Sequence, residues 1–233
     1  MRAGAIATIR GPFPADAVLT GSHTSYVALD CEMVGVGPGG VRSALSQVVV
    51  VDWLGRVLLC KYVKPSEPVT DYRTHVSGCT PALLRGASPL GPVQAEVAKL
   101  LASKTLVGHG LKNDLQALLL SHPAASTRDT AQHRPFQWRA GDGTWRPKKL
   151  KHLVFQHLSL DIQREGAAHD PAEDARGALA LYKLHRREWE HSLLAAKAGK
   201  AAGSKGGGKK KASAGAKAGA AAAAATPAPS TLL

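Results

Sequence analysis

Three apolar segments near the start of the chain restrict its fold more than any other feature of the sequence. Residues 26–31, 44–52 and 56–63 are short and rich in Val and Leu, and the last two flank the turn "DWLG". Short β-branched segments joined by a Gly-containing turn are typical of a β-hairpin. The sequence therefore predicts three antiparallel strands, of which the second and third form a hairpin closed at Gly55.

Helices alternate with short strands in the rest of the chain. In "VQAEVAKLLAS", residues 93–103, apolar side chains recur at helical spacing and form one stripe. Residues 105–109 predict a buried strand, and residues 149–158 predict another helix. Strands followed by alternating helices and strands indicate an α/β domain.

Two further helices are predicted from residues that are typical of helix N-termini. Asn113 is the predicted N-cap of one helix, which places Asp114 in its first turn. The last helix has Asp170 as the predicted cap, Pro171 at its first position and Glu173 at its third, which is the pattern of a capping box. His169 therefore lies just before that helix, and Asp174 lies one turn inside it.

Carboxylates stand at the ends of these elements. Asp30 and Glu32 end the first strand, where side chains two residues apart share a face and their roots lie about 6–7 Å apart. Two adjacent anions at the end of a buried strand repel each other, so a cation is expected beside them. Oxygen ligands suit Mg²⁺ or Mn²⁺ better than zinc. From these residues alone, a solvated pair of acids remains an alternative, and Asp114 and Asp174 are also favoured by the helix dipole.

The positive charge is concentrated near the C-terminus. The chain has a net charge of +13, and residues 191–233 hold seven Lys and no Asp, Glu or Arg, which leaves +6 on residues 1–190. Ala, Gly, Ser, Lys and Pro offer little surface to bury, so residues 191–233 are predicted to be a disordered tail. Such a tail either attracts a polyanion or only keeps the protein in solution. The cluster "RPKKLKH", residues 146–152, either borders a substrate path or forms a solvated helix face.

Several protein classes are disfavoured by the composition. No run of about 18 apolar residues predicts a membrane span. Residues 1–24 are predicted to be a flexible extension; they lack the apolar centre of a secretory signal, although a weak organelle-targeting role stays open. Cys31, Cys60 and Cys79 form no C-x-x-C pair, which argues against a disulfide framework or a zinc ribbon and favours a reducing compartment.

Three segments resemble the motifs of a nuclease superfamily. "ALDCEMVGVG", "VGHGLKNDL" and "HDPAED" are similar to the three exonuclease motifs of the DEDD superfamily in its His-containing branch, which also uses the spacing H-x-x-x-x-D. "SALSQVVVVD", "KYVKPSEPVTDYRTHVSG" and "EDARGALALYKLH" resemble the RNA exonuclease 4 group. The resemblance covers about residues 25–189. It implies an RNase H-like exonuclease domain over residues 25–190, with three antiparallel strands followed by parallel ones and flanking helices.

The resemblance also implies an activity and a set of site residues. It implies a 3′-to-5′ exonuclease that hydrolyses single-stranded RNA, or DNA, to 5′-mononucleotides with two Mg²⁺ or Mn²⁺ ions. His169 is then the general base, and Met33 lines the pocket of the terminal nucleotide. The metal ligands that the resemblance implies are Asp30, Glu32, Asp114 and Asp174.

Other readings remain open from the sequence. A DNA-directed repair or proofreading exonuclease carries the same motifs, and a non-cleaving nucleic-acid-binding protein has the same fold. Gln47 and Cys79 depart from the residues that relatives often have, which leaves the substrate preference open. Ribosomal RNA processing is the expected role, and the Lys-rich tail favours the nucleus or nucleolus, with the cytoplasm or an organelle as alternatives. The sequence does not indicate an oligomeric state.

Overall fold

A computed structural model of the chain describes Ile9, Gly11 and residues 23–204. The chain divides into one compact unit of residues 1–189 and a second of residues 190–233. Most of the predicted N-terminal extension and residues 205–233 of the predicted tail lie outside the described residues. No helix within the described part of the chain is long and apolar enough to span a bilayer.

Seven strands form one mixed sheet, and two more form a separate ribbon. The strands are β1 (Tyr26–Val36), β2 (Arg42–Asp52), β3 (Val57–Lys64), β4 (Val69–Asp71), β5 (Ser88–Pro89), β6 (Thr105–Gly108), β7 (Thr127–Asp129), β8 (Gln137–Arg139) and β9 (Trp145–Pro147). The main sheet has the order β5-β3-β2-β1-β6-β7, and β4 also pairs with β1. Strands β1 to β3 are antiparallel, whereas β1, β6 and β7 are parallel, which confirms the predicted mixed sheet.

Helices flank this sheet. They are α1 (Thr74–Ser77), α2 (Pro81–Arg85), α3 (Leu90–Leu101), α4 (Leu111–Ala117), α5 (Leu150–Leu158) and α6 (Pro171–Ser204). Short 3₁₀ turns complete several of the connections.

The hairpin between β2 and β3 closes where the sequence predicts. Gly55 adopts a φ of 76°, and its N–H donates to the carbonyl of Asp52 at 2.9 Å. The Asp52 carboxylate also accepts the backbone N–H of Leu54 and of Arg56, both at 2.9 Å. Glycine adopts this left-handed conformation without steric cost, and the Asp side chain satisfies the turn's free donors.

The two faces of β1 have different neighbours. Val27, Leu29 and Cys31 belong to the main core cluster, together with buried side chains of α3. Tyr26, on the other face, packs against Trp53 and against Tyr182 of α6, with ring centroids 4.9 and 5.8 Å apart. Because side chains alternate along a strand, Asp30 and Glu32 lie on the face opposite to the main core cluster.

One helix start is confirmed and one is wrong. Asp170 caps α6, because its Oδ1 accepts the N–H of Ala172 at 2.9 Å. The prediction of Asn113 as an N-cap is wrong: the cap position is Gly110, three residues earlier and in the left-handed conformation, and α4 begins at Leu111. The Asp129 carboxylate accepts the Gly110 N–H at 2.7 Å, so a residue distant in sequence fixes this helix start.

The C-terminal helix is longer than the sequence indicates. Helix α6 continues to Ser204, so residues 191–204 are helical where a disordered tail is predicted. Ala is the strongest helix former, and this segment contains the run "LLAAKAGKAAG". Helix propensity therefore decides the conformation of a segment that has little apolar surface to bury.

Candidate active site

Strand β1 places two carboxylates beside each other. Glu32 is buried and Asp30 is partly buried, and both precede a break in the pairing register with β2 between Glu32 and Met33. The Ser46 hydroxyl of β2 donates to the Glu32 carbonyl at 2.9 Å. This contact holds the backbone of β1 at the position where both acids project.

Helix α4 adds a third carboxylate. Asp114 is 5% exposed and lies in the first turn of α4. Burial raises the pKa of this carboxylate, and hydrogen bonding by the thiol and the backbone N–H of Cys31 lowers it. The Cys31 side chain belongs to the main core cluster, and it also lies beside this acid of the site.

The fourth carboxylate comes from α6. Asp174 is buried, and its Oδ2 accepts a hydrogen bond from Gln163 Nε2 at 2.7 Å. Its Oδ1 is buried and has no hydrogen-bond partner among the described residues. His169 Nδ1 lies 3.7 Å from Asp174 Oδ2, beyond hydrogen-bond length. Ligand atoms of Glu32, His169 and Asp174 all lie within 4.8 Å of one another.

Burial raises the pKa of every acid in the cluster, and the charges of the other cluster acids add to this effect at Asp30 and Glu32. Burial, followed by the charge of Asp174, raises the pKa of Glu32 to about 8. Burial raises the pKa of Asp114 and that of Asp174 to about 7. The pKa of Asp30 is raised well above its usual range by burial and then by the charges of Asp174, Asp114 and Glu32.

The donor set fits a divalent cation. Four carboxylates that repel one another in a buried site gain most from a positive charge placed among them. The unpartnered Oδ1 of Asp174 offers a further oxygen ligand. Hard oxygen donors of this kind suit Mg²⁺ or Mn²⁺. The cluster is therefore a candidate site for divalent metal ions.

His169 lies at the edge of the acidic cluster. Its backbone N–H donates to the carbonyl of Val76 in α1 at 2.8 Å, which anchors the loop that carries it. Burial, and then the charge of Lys151, lowers the pKa of the imidazole below its usual value. The ring is therefore neutral near pH 7 and has a nitrogen that can accept a proton.

An open cavity of about 440 Å³ exposes the cluster to solvent. His169 and three of the acids line it, and Gln163 lies on its wall. Lys149 and Lys151, from the basic cluster noted in the sequence, also line this cavity. The structure therefore favours a basic cluster that borders the site over one that only forms a solvated helix face.

Met33 lies in a different cavity from the acids. This second cavity has a volume of about 710 Å³, and its walls include Arg42 and, from α4, Asn113 and Gln116. The register break after Glu32 separates Met33 from the strand positions that carry the carboxylates. Asp114 follows Asn113 directly in α4, so this helix carries both a wall residue of the second cavity and an acid of the cluster.

Gln47 and Cys79, two of the departures from the family pattern, lie away from open surface. Cys79 is fully buried in a small core cluster with Val34 and Leu84. Gln47 is 9% exposed, and its Nε2 lies 3.5 Å from Cys60 Sγ on β3. Both residues therefore pack inside the domain, which does not support the expectation that they alter substrate contacts.

Sequence reasoning missed two residues of the site. Gln163 lies in the loop before α6 with a φ of 51°, and no motif marks it. The contact of Cys31 with Asp114 was also missed, because strand alternation assigns Cys31 to the core without showing which helix packs there. Since α4 packs on that face, a carboxylate at its first turn reaches the thiol.

Comparisons with known proteins agree with this arrangement. A sequence profile of the family described as Exonuclease (RNase_T) matches residues 27–182. The chain belongs to the Exonuclease family. The matched exonuclease segment contains His169 and the four acids of the cluster.

Two curated relatives named RNA exonuclease 4 show the extent of the similarity. The chain is 46% identical over 168 residues to the one from Cryptococcus neoformans, covering 72% of this chain and 40% of that protein. It is 46% identical over 170 residues to the human one, covering 73% of this chain and 39% of that protein. The chain thus spans about two fifths of the length of each.

A solved exonuclease structure has the same fold. The Pan2 pseudoubiquitin hydrolase-RNA exonuclease module of Saccharomyces cerevisiae, determined in complex with RNA, matches with a TM-score of 0.61 and 29% identity. The match covers 72% of this chain and 29% of that one. The mixed sheet and its flanking helices are therefore an exonuclease fold of the RNase H-like class.

Proposed function

We propose that this protein is a metal-dependent 3′-to-5′ exonuclease that hydrolyses single-stranded RNA to 5′-mononucleotides. One observation carries the proposal: three separate elements bring four carboxylates together beside a neutral histidine. A protein that only binds nucleic acid does not need mutually repelling buried acids, and the negative charge of an empty cluster opposes phosphate binding.

RNA is the proposed substrate. The curated relatives are named RNA exonuclease 4, and the Pan2 module was determined with RNA bound. The net charge of +13 favours a polyanionic partner. These similarities favour RNA over the DNA-directed alternative.

The acids are the proposed metal ligands. Asp30, Glu32, Asp114 and Asp174 would hold two Mg²⁺ or Mn²⁺ ions. When bound, such ions lower the pKa of an attacking water and stabilise the leaving 3′-oxygen. Gln163 fixes the orientation of the Asp174 carboxylate through its 2.7 Å hydrogen bond.

His169 is the proposed general base. Its imidazole is neutral near pH 7, because burial and the charge of Lys151 lower its pKa. It accepts the proton of the attacking water at a ring nitrogen, and the anchor to Val76 keeps the loop close to the acids. Since Nδ1 is too far from Asp174 for a hydrogen bond, no contact to that acid competes for this nitrogen.

Met33 is proposed to contact the terminal nucleotide. The cavity that it lines is bordered by α4, which also carries Asp114. A polarizable, flexible thioether packs well against the face of a base. The 3′-terminal nucleotide would occupy this cavity while its phosphate lies at the acids.

The biological setting is also a proposal. We assign the protein to the processing of RNA, including ribosomal RNA precursors, in the nucleus or nucleolus. The seven Lys after residue 190 support this location as a basic address. A fluorescent fusion of the full chain that stays in the cytoplasm or an organelle would contradict it.

Digestion of matched oligonucleotides tests the activity. RNA and DNA of the same sequence, labelled at the 5′ end, are incubated with the full chain in Mg²⁺, in Mn²⁺ and in a chelator. We expect the RNA to shorten one nucleotide at a time from its 3′ end, only with metal. Preferential DNA cleavage would favour the repair enzyme, and binding without cleavage in either metal would favour the non-cleaving protein.

A further inference from the structure

The two-stranded ribbon of β8 and β9 exposes two tryptophans. Trp138 is 46% exposed and Trp145 is 43% exposed. Trp138 pairs with Arg146 across the ribbon, and Arg139 pairs with Trp145. Directly opposed residues of antiparallel strands share a face, so each face of the ribbon presents one indole and one guanidinium.

The ribbon and the start of α5 form a basic segment. Residues 134–151 contain six Lys and Arg and a single acid, Asp142. Asp142 lies at the ribbon turn and pairs with Arg146 at 2.8 Å. The segment therefore retains a strong positive charge beside two exposed aromatic rings.

The two indoles differ in their surroundings. The guanidinium of Arg134 lies over the Trp145 ring, 3.7 Å from its centroid, which is a cation–π contact. This contact accounts for the placement of Trp145. Trp138 lies on the opposite face of the ribbon, and its exposed indole beside Arg146 offers a flat surface on which a base can stack.

The base of the ribbon connects directly to the candidate active site. Lys148 N–H donates to the carbonyl of Phe136 at 3.1 Å, which closes the ribbon, and Lys149 follows directly in the chain. His109, Lys149 and Lys151 all line the cavity of the acidic cluster. Arg146, opposite Trp138, is three residues from Lys149, which corresponds to about 10 Å along an extended chain.

We propose that this ribbon is a second RNA-binding surface, which holds nucleotides on the 5′ side of the scissile phosphate. Trp138 stacks on a base, and Lys149 and Lys151 bind the phosphates between that base and the catalytic cavity. Sites for single-stranded nucleic acid combine aromatic stacking with basic grooves in this way. This inference rests on the proposed function, because that function supplies the strand leaving the cavity.

The length dependence of RNA affinity tests the stacking contact. Binding of the full chain in a chelator is measured with RNA of about four and about twelve nucleotides, since single-stranded sites span roughly this range. Trp138→Ala should weaken binding of the long RNA roughly 5- to 100-fold and that of the short RNA much less. Trp138→Phe, which keeps a stacking ring, should retain most of the affinity.

Trp145→Ala is the matched control on the opposite face of the same ribbon, and it should cost less affinity than Trp138→Ala. Long-RNA affinity that is unchanged in Trp138→Ala, or that falls equally for short and long RNA, would overturn the proposal.

Salt dependence tests the phosphate contacts. Lys149→Ala and Lys151→Ala should each reduce the slope of log affinity against log salt by about one. Lys99→Ala, in a separate cavity beside Trp53, removes the same charge and should leave the slope unchanged. Equal slopes for wild type, Lys149→Ala and Lys151→Ala would contradict the phosphate path.

These experiments distinguish a failure of the proposed RNA-binding surface from a failure of the proposed exonuclease activity. If the wild type binds long RNA through Trp138 but releases no nucleotides in Mg²⁺ or Mn²⁺, the proposed function is wrong and the binding surface stands. If the wild type degrades RNA while Trp138→Ala binds long RNA normally, the activity stands and the ribbon proposal is wrong.

Discussion

Cys31 lies beside Asp114, and hydrogen bonding by its thiol and its backbone N–H opposes the rise that burial causes in the pKa of that carboxylate. The neighbouring acids, Asp30 and Glu32, lie on the opposite face of β1 from the Cys31 side chain. The residue between two acids on β1 thus orients a third acid that comes from α4. Loss of a contact that orients a metal ligand typically lowers metal affinity by roughly 10- to 100-fold.

Removing the Cys31 thiol should weaken metal binding. Cys31→Ala deletes the donor to Asp114, so we expect the Mg²⁺ or Mn²⁺ affinity to fall roughly 10- to 100-fold. Cys31→Ser keeps a donor and should remain near wild type. Affinity is measured from the rise of Tm with metal concentration. Equal behaviour of the Ala and Ser variants would show that the thiol does not position Asp114.

The chelated protein should lose stability as pH rises. Folding raises the pKa of Glu32 from 4.5 to about 8 and that of Asp114 from 3.8 to about 7. Between about pH 4 and pH 8 the folded state therefore binds more protons than the unfolded state, and stability falls as pH rises through this window. We expect a lower Tm at about pH 8 than at about pH 5 in a chelator.

Added Mg²⁺ or Mn²⁺ should restore most of the Tm that is lost at higher pH, because divalent cations neutralise the ionised acids. Asp30→Asn removes one of the repelling charges, so the chelated variant should show a smaller fall in Tm than the chelated wild type. Chelated wild-type protein whose Tm rises steadily from about pH 5 to about pH 8 would argue that the acids do not repel one another in the fold.

The stacked pair of His133 and Trp189 should have the opposite effect on stability, which it lowers as pH falls. His133 stacks on Trp189 with ring centroids 3.8 Å apart, and burial followed by the charge of His185 lowers its pKa from 6.5 to about 4. The unfolded state binds this proton more readily, so stability is lost as pH falls from about 6.5 towards 4. His133→Phe keeps the stacking and should reduce the acid-induced loss of Tm by about 2–4 °C. If Tm falls equally in His133→Phe and in the wild type as pH drops from about 6.5 towards 4, protonation of His133 does not cause the loss of stability.

His169 should matter for the rate and not for metal binding. His169→Ala should keep the metal-induced rise in Tm and lose about 10²–10⁴ in the single-turnover rate on RNA. Asp174→Ala, one turn into α6, should lose both, because it removes a proposed metal ligand. The comparison is made at saturating metal. If both variants lose the rise in Tm to the same extent, His169 is a ligand or a support of the α6 start.

The sequence predicts those parts of the fold that depend on local chemistry. Gly55 closes a hairpin and Asp170 caps α6, because each needs only its near neighbours. Asn113 is misassigned because Asp129, distant in sequence, holds Gly110 at the start of α4. Residues 191–204 are misassigned because composition indicates how much surface is buried but does not exclude a helix of good formers.

The same division applies to the site. Asp114 and Asp174 lie in the first turns of α4 and α6, as the sequence predicts. The prediction that Asp30 and Glu32 end the first strand is wrong, because β1 continues past the register break after Glu32 to Val36 and both acids lie in its interior. Gln163 and the Cys31 contact to Asp114 depend on how a loop and a helix pack, which no spacing along the chain records.

The most direct test of the account is the rate at which the full chain shortens 5′-labelled single-stranded RNA in Mg²⁺, compared between wild type and Asp30→Asn. Asn has nearly the same shape as Asp and lacks its charge, so the variant isolates the role of the carboxylate in the cluster. We expect stepwise loss of nucleotides from the 3′ end with wild type and at least about 10²-fold slower loss with Asp30→Asn. Equal rates for the two proteins would contradict the assignment of this cluster as the catalytic centre.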